Sequence, residues 1–273
     1  MGRRAVRAVF LACLSFAASA LLLCPPSLSC LEIGVMTYNV HHCEGADGLV
    51  DVERIARIIA GSGVDLAALQ EVDRCTERSG GVDQAARLGE LTGMHAVFGA
   101  ALDAWQGGEY GIAVLSRYPV EASRVHRLPS PPGGEERIVL EVSVRPEEET
   151  GVVLLNTHWS GGPRRRTHIR QSRALRGLAG ERPGSVMILA GDLNVLPIGA
   201  AYRRLAWKWH DCFAAGGEPT YPAEEPRLRL DHVLFRSCGG IEPLSRGVLA
   251  ESEASDHRPV VVRLAIEGPV ETE

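Results

Sequence analysis

Short runs of β-forming apolar residues recur along this chain, most of them bounded by turn residues, and only four segments break that rhythm with a helical pattern. The arrangement favours two packed sheets flanked by helices. A strand is expected at 31–40. Residues 51–60 then carry Val52, Ile55, Ala56 and Ile59 at helical spacing, with Asp51 as the cap and Gly61 and Gly63 as the stop. Strand 65–69 leads into Gln70-Glu71, completing a strand, helix, strand unit. A second helix is expected at 84–91. Further strands follow at 95–100, 111–116, 121–128, 137–145, 152–158 and 186–190, with helices at 170–179 and 202–206 and closing strands at 231–235 and 259–266. No repeat, linker or composition break divides the chain, so its 273 residues are read as one domain.

The first 29 residues stand apart. Arg3, Arg4 and Arg7 precede an apolar run and a Pro-Pro break, and Ser27 and Ser29 fit cleavage before Cys30. The segment 1–29 is read as an export signal and 30–273 as the mature domain, either released or held at a membrane through its N-terminus. Losing those three arginines, with no acid among them, takes the formal charge from minus 5 to minus 8. An acidic chain with only 5% aromatics is poorly suited to long nucleic acids, which call for basic surfaces and stacking rings. Cys43 and Cys75 each lie four residues past a polar strand end and would brace one rim as a disulfide if their strands are neighbours. Cys212 with Cys238 is the other pairing, and independent thiols are the alternative.

Chemistry is concentrated where strands finish. Asn39, Gln70-Glu71, Asn156-Thr157-His158 and Asp192-Leu193-Asn194 end four runs; Asp231-His232 opens a fifth and Ser255-Asp256-His257 precedes the last. One such residue caps a turn; this many at strand ends describe a crevice lined for a metal ion and a phosphate. Glu71 and Asp256 suit Mg²⁺, which takes one or two carboxylates and keeps waters. Asp192 beside Asn194 can activate and orient a water, while His158, His257 and Asn39 can donate to phosphoryl oxygens. A charged His257 needs a carboxylate partner, for which Asp231 is the candidate.

The strings TYNVH, LQEVD, EYGIAVLSRYP, NTHW, GDLN, LDHVLF and SDHRPV, in that order, resemble the endonuclease/exonuclease/phosphatase family with the DNase I-like fold. That resemblance implies a four-layer α/β/β/α sandwich and a phosphodiesterase-type hydrolase using Mg²⁺ or Mn²⁺. Glu71, Asn39 and Asp256 would hold the metal, with Asp192 as general base and Asn194 orienting phosphate or water. His257, paired with Asp231, and His158 would steady the phosphoryl group. It further implies a phosphate contact from Arg137 and support of His158 by Glu109. The segments RSGGVDQ and QGGEYG look like a bacterial branch related to GPI-lipid remodelling and calcofluor-hypersensitivity proteins.

The expected partner is a phosphoester: a lipid headgroup, a sugar phosphate or, less favoured, nucleic acid, acted on by a monomer. The basic stretch Arg164, Arg165, Arg166, His168, Arg170, Arg173 and Arg176 could collect an anionic membrane surface or simply form a solvated helix face. No HExxH, zinc-finger cysteine pair, GxSxG elbow or GxxxxGK[ST] loop occurs, which argues against a zinc or serine hydrolase. A secreted nuclease and a non-catalytic binding module of the same fold are the alternatives.

Overall fold

Alternation along β1 (Cys30–Asn39) sets the layering: Ile33 and Val35 point to one side, Met36, Tyr38 and the following Val40 to the other, and all five are fully buried. A strand apolar on both faces must be covered twice. The computed structural model describes residues 30–267 apart from 149, 179, 181–184, 215 and 237–239. The expected export segment and Cys238 therefore lie outside the described residues.

The first sheet contains β1, β2 (Leu66–Arg74), β3 (His95–Trp105), β4 (Gly108–Ser116), β11 (Ile241–Val248) and β12 (Val260–Glu267), in the order β11-β12-β1-β2-β4-β3. The second contains β5 (Val120–Leu128), β6 (Arg137–Glu147), β7 (Thr150–His158), β8 (Ser185–Asp192), β9 (His210–Asp211) and β10 (Asp231–Arg236), in the order β5-β6-β7-β8-β10-β9. Between them Val35, Leu66 and Val114 meet Leu140, Leu154 and Ile188 in one core. Helices α1 (Val52–Ser62) and α2 (Gln84–Thr92) cover the outer face of the first sheet, and α3 (Arg165–Leu178) and α4 (Ala200–Ala206) that of the second. The result is the expected α/β/β/α sandwich in a single domain.

Local chemistry accounts for the helix ends. Asp51 accepts from the Arg54 amide at 2.8 Å and Asp83 from the Ala86 amide at 3.0 Å, capping α1 and α2, and Gly63 closes α1 in the left-handed region. Three features depart from the sequence reading. Strand β11 was not anticipated because Pro243 and exposed polar residues hide an edge strand, which shifts register beside that proline. Helix α3 starts at Arg165 instead of 170, since its first turn is charged and carries no apolar period. Cys43 and Cys75 are free thiols: Cys43 packs in the core beside α1, while Cys75 faces solvent.

Each sheet contains one parallel pair, β1 with β2 and β7 with β8, joined by crossovers that contain α1 and α3 respectively. The C-terminal ends of these four strands form one rim. Antiparallel β10 brings its first residue there, Asp231 opposite Asp192, and β12 starts at the same edge, Val260 opposite Thr37.

Below the rim the sheets are tied by amides. The Gln70 amide donates to Asn156 Oδ1 at 2.8 Å, and Asn156 Nδ2 donates across the interface to the carbonyls of Leu69 and Ala113, each at 2.8 Å. All these groups are buried, so loss of one partner strands the others. Asn156→Leu should therefore lower stability by about 2 kcal/mol or more, read as a fall in the urea midpoint; an unchanged midpoint would show that the tie carries no stability.

Candidate active site

Asp192, at the end of β8, is the hub. Its Oδ2 lies 3.3 Å from Asn39 Nδ2, 3.3 Å from Asn194 Nδ2, 3.4 Å from His158 Nε2 and 3.8 Å from His257 Nε2, and its Oδ1 accepts from the Asn194 amide at 2.8 Å. The preceding Gly191 is required by close approach, because a Cβ there would strike the Thr157 carbonyl on β7. Burial raises the Asp192 carboxyl above its usual range, and the nearby Asp231 and Glu71 charges add to this against the pull of His257.

The two histidines are held in opposite states by their Nδ1 partners. Arg137 donates to His158 Nδ1 at 2.8 Å, which leaves that ring's proton on Nε2, facing Asp192. Burial, followed by the charges of Arg137 and His257, keeps His158 well below the ordinary histidine value, hence neutral. His257 Nδ1 instead lies 2.8 Å from Asp231 Oδ2. Burial opposes its charge, but Asp231 by charge and hydrogen bond, with Asp192 and Asp256, outweighs that and pushes the imidazolium up to about 10.

Glu71 arrives by a break in the ladder. The pairing of β2 with β4 shifts between Gln70 and Val72, and Glu71 has φ 59°, so it is the extra residue of a bulge. Its carboxylate accepts from Asn39 at 3.0 Å and enters the same cleft as Asp192, Asp256, Asn194, His158, His257 and Arg137, a cavity of about 880 Å³. The loop carrying Asp256 is pinned by the Ser255 hydroxyl, which donates to the Asn39 carbonyl at 2.7 Å. Glu71 and Asp256 offer hard oxygens on an open wall, and this donor chemistry fits Mg²⁺ or Mn²⁺.

Glu109 falls elsewhere. It pairs with Arg74 directly across the ladder and does not line the cleft, whereas the next residue, Tyr110, does. The residue that holds His158 at Nδ1 is Arg137, itself paired with Glu135 at 3.1 Å. His232, one residue after Asp231, turns to the opposite face and bonds the Val195 carbonyl. Arg78, Trp105, Tyr110, Glu135 and Tyr221 complete the wall and were not singled out from sequence. Arg78 and Tyr110 sit within the RSGGVDQ and QGGEYG segments, where their polarity and glycine-rich setting were the available signal. In the basic stretch, His168 is buried against the Ser160 carbonyl, while Arg164, Arg165, Arg166, Arg170 and Arg173 are exposed, Arg164 directly following the Gly161 to Pro163 lip of the cleft and the others lying along α3.

The family described as Endonuclease/Exonuclease/phosphatase matches residues 36–257, a span that contains every residue of this cleft. The chain belongs to that family. The crystal structure of an endonuclease/exonuclease/phosphatase from Beutenbergia cavernae DSM 12333 is similar with 27% identity and TM-score 0.75, covering 88% of this chain and 73% of that one. The mannosyl-6-phosphatase Bt3783 of Bacteroides thetaiotaomicron VPI-5482 shares the fold at 17% identity and TM-score 0.69, covering 85% of this chain and 99% of its own. YbhP of Escherichia coli (strain K12) is 29% identical over a match 164 positions long, which covers 56% of this family member and 62% of YbhP.

Asp231→Asn tests the histidine assignment without reference to turnover. With its carboxylate partner, His257 keeps its proton until about pH 10; without it, the NMR titration of the ring should move to lower pH. Identical titrations would remove Asp231 from this role.

Proposed function

We propose that this chain is an exported, divalent-metal-dependent phosphoesterase that hydrolyses a phosphodiester by in-line attack of water. The observation that carries the reading is Asp192, buried among four side-chain donors from both sheets, in a cleft whose wall also presents Glu71 and Asp256.

Each group then has a task that its surroundings favour. Asp192, its proton affinity raised by burial, takes the proton of a water that Asn194 orients beside it. The water oxygen forms the new bond to phosphorus as the bond to the leaving oxygen breaks, its electron pair departing with that oxygen. Charge on the nonbridging oxygens is met by the protonated Nε2 of His257 and by the Nε2–H of neutral His158, both already aimed at this point. A Mg²⁺ or Mn²⁺ held by Glu71 and Asp256 beside Asn39 would neutralise phosphate oxygens and stabilise the leaving group. Asp231 and Arg137 act through the histidines they position.

The acidic mature chain and the exposed arginines that begin at the cleft lip with Arg164 and run along α3 favour a small or membrane-borne phosphodiester, such as a lipid headgroup, over long nucleic acid. Export rests on the basic and apolar segment before Cys30. A panel of phospholipids, phosphoinositides, sugar phosphates and plasmid DNA separates these substrates, and turnover of DNA alone would replace the lipid preference with a nuclease.

Hydrolysis of bis-p-nitrophenyl phosphate should require Mg²⁺ or Mn²⁺ and stop with EDTA; turnover independent of metal would exclude the mechanism. Asp192→Ala and His257→Ala should each slow it roughly a hundredfold or more, and a wild-type rate in either variant would remove that residue's role. Glu71→Gln should shift the metal titration to higher concentration while leaving the far-ultraviolet spectrum intact. An unchanged titration would count against Glu71 as a ligand.

A further inference from the structure

The turn after β1 contains two histidines for which the phosphoesterase reading has no use. His41, His42 and Cys43 all adopt positive φ, at 46°, 43° and 62°, and this left-handed turn brings both imidazoles beside Glu71. Ligand atoms of His41, His42 and Glu71 lie within 4.8 Å of one another, and the two ring centroids are 4.5 Å apart.

The second nitrogen of each ring is already assigned, and one residue assigns both. His41 Nδ1 lies 3.3 Å from the Glu44 carbonyl, which can only accept, so that nitrogen carries the proton and Nε2 is left with a lone pair. His42 Nε2 lies 3.2 Å from the Glu44 carboxylate, again an acceptor, leaving the lone pair on Nδ1. That Nδ1 has no hydrogen-bond partner, although His42 is only 6% exposed. A histidine with one nitrogen tied to a carbonyl or carboxylate and the other lone pair unused has the arrangement of a metal ligand, and both rings here lie near Glu71. The neighbouring Arg78 does not forbid a cation, because Asp73 takes its guanidinium in two bonds of 2.7 Å.

We propose that His41, His42 and Glu71 form a second metal site, selective for a transition ion such as Zn²⁺, Co²⁺ or Mn²⁺ over Mg²⁺. Two imidazoles and one carboxylate are the donor set such ions prefer, whereas Mg²⁺ prefers oxygen alone. A motif search misses the site because its third ligand comes from a different strand. Glu71 is the one residue that this site would share with the Glu71 and Asp256 pair. The site stands on its own geometry and does not require the proposed reaction.

The test is Co²⁺ binding to the full mature chain in excess Mg²⁺, read by equilibrium dialysis and by the visible absorption of nitrogen-ligated Co²⁺. Wild type should retain one Co²⁺ that Mg²⁺ does not displace. His41→Asn and His42→Asn should each weaken it by more than about a hundredfold, since losing a ligand costs more than losing its supporting partner. Asparagine is chosen because it tolerates positive φ. Glu44→Gln, on a half-buried side chain, should weaken binding by about ten- to a hundredfold and provides a variant with an undisturbed core. Asp256→Asn should leave Co²⁺ in place while impairing Mg²⁺-dependent hydrolysis, which separates this site from the phosphoesterase reading. Displacement of Co²⁺ by Mg²⁺, or wild-type affinity in the folded histidine variants, would overturn the proposal.

Discussion

The hydrogen bond from Gln70 to Asn156 crosses from one sheet to the other one residue below Glu71 and two below His158. Apolar packing between sheets is non-directional and would tolerate small slides, whereas paired amides fix one register and are costly to leave unpaired. Because Asn156 also donates to the Leu69 and Ala113 carbonyls, the second sheet is referenced to two strands of the first at the depth where the rim begins. The contacts of Asp192, on the second sheet, with Asn39 and His257, which arrive from β1 and from the segment leading into β12 of the first, presuppose that alignment.

Above that tie, the cleft is organised by what stands behind each charged group. His158 and His257 both present Nε2 to the same oxygen of Asp192, yet one is neutral and the other an imidazolium. The difference lies at Nδ1, where one ring faces a guanidinium and the other a carboxylate. Two copies of one side chain thus supply a neutral and a charged donor within a few ångströms. The same logic extends to His41 and His42, whose outward nitrogens Glu44 fixes through its backbone and its side chain.

Much of this was legible in the sequence, and the failures have physical causes. Asn39, Glu71, His158, Asp192, Asn194, Asp231, Asp256 and His257 stand at strand ends, and the structure gathers them at one rim, because parallel pairs flanked by antiparallel neighbours put those ends together. Glu109 entered only through the family resemblance, and in this chain it is spent on Arg74 across the ladder while its neighbour Tyr110 faces the cleft. Tyr110 and Arg137 gained contacts that no local pattern encodes, and Arg137 reaches His158 across a sequence gap of 21 residues. Strand β11 was invisible because an exposed edge needs no hydrophobic period.

The bulge at Glu71 makes the direction of one acid depend on a residue count. Side chains on a regular strand alternate, so deleting a single position between Gln70 and Val72 would heal the ladder and erase the carboxylate from the cleft, though nearly every neighbouring letter stayed the same. Length at this point is therefore as diagnostic as residue identity. Aligned relatives that keep the glutamine and valine but lose the interval between them would inherit the scaffold without its ion.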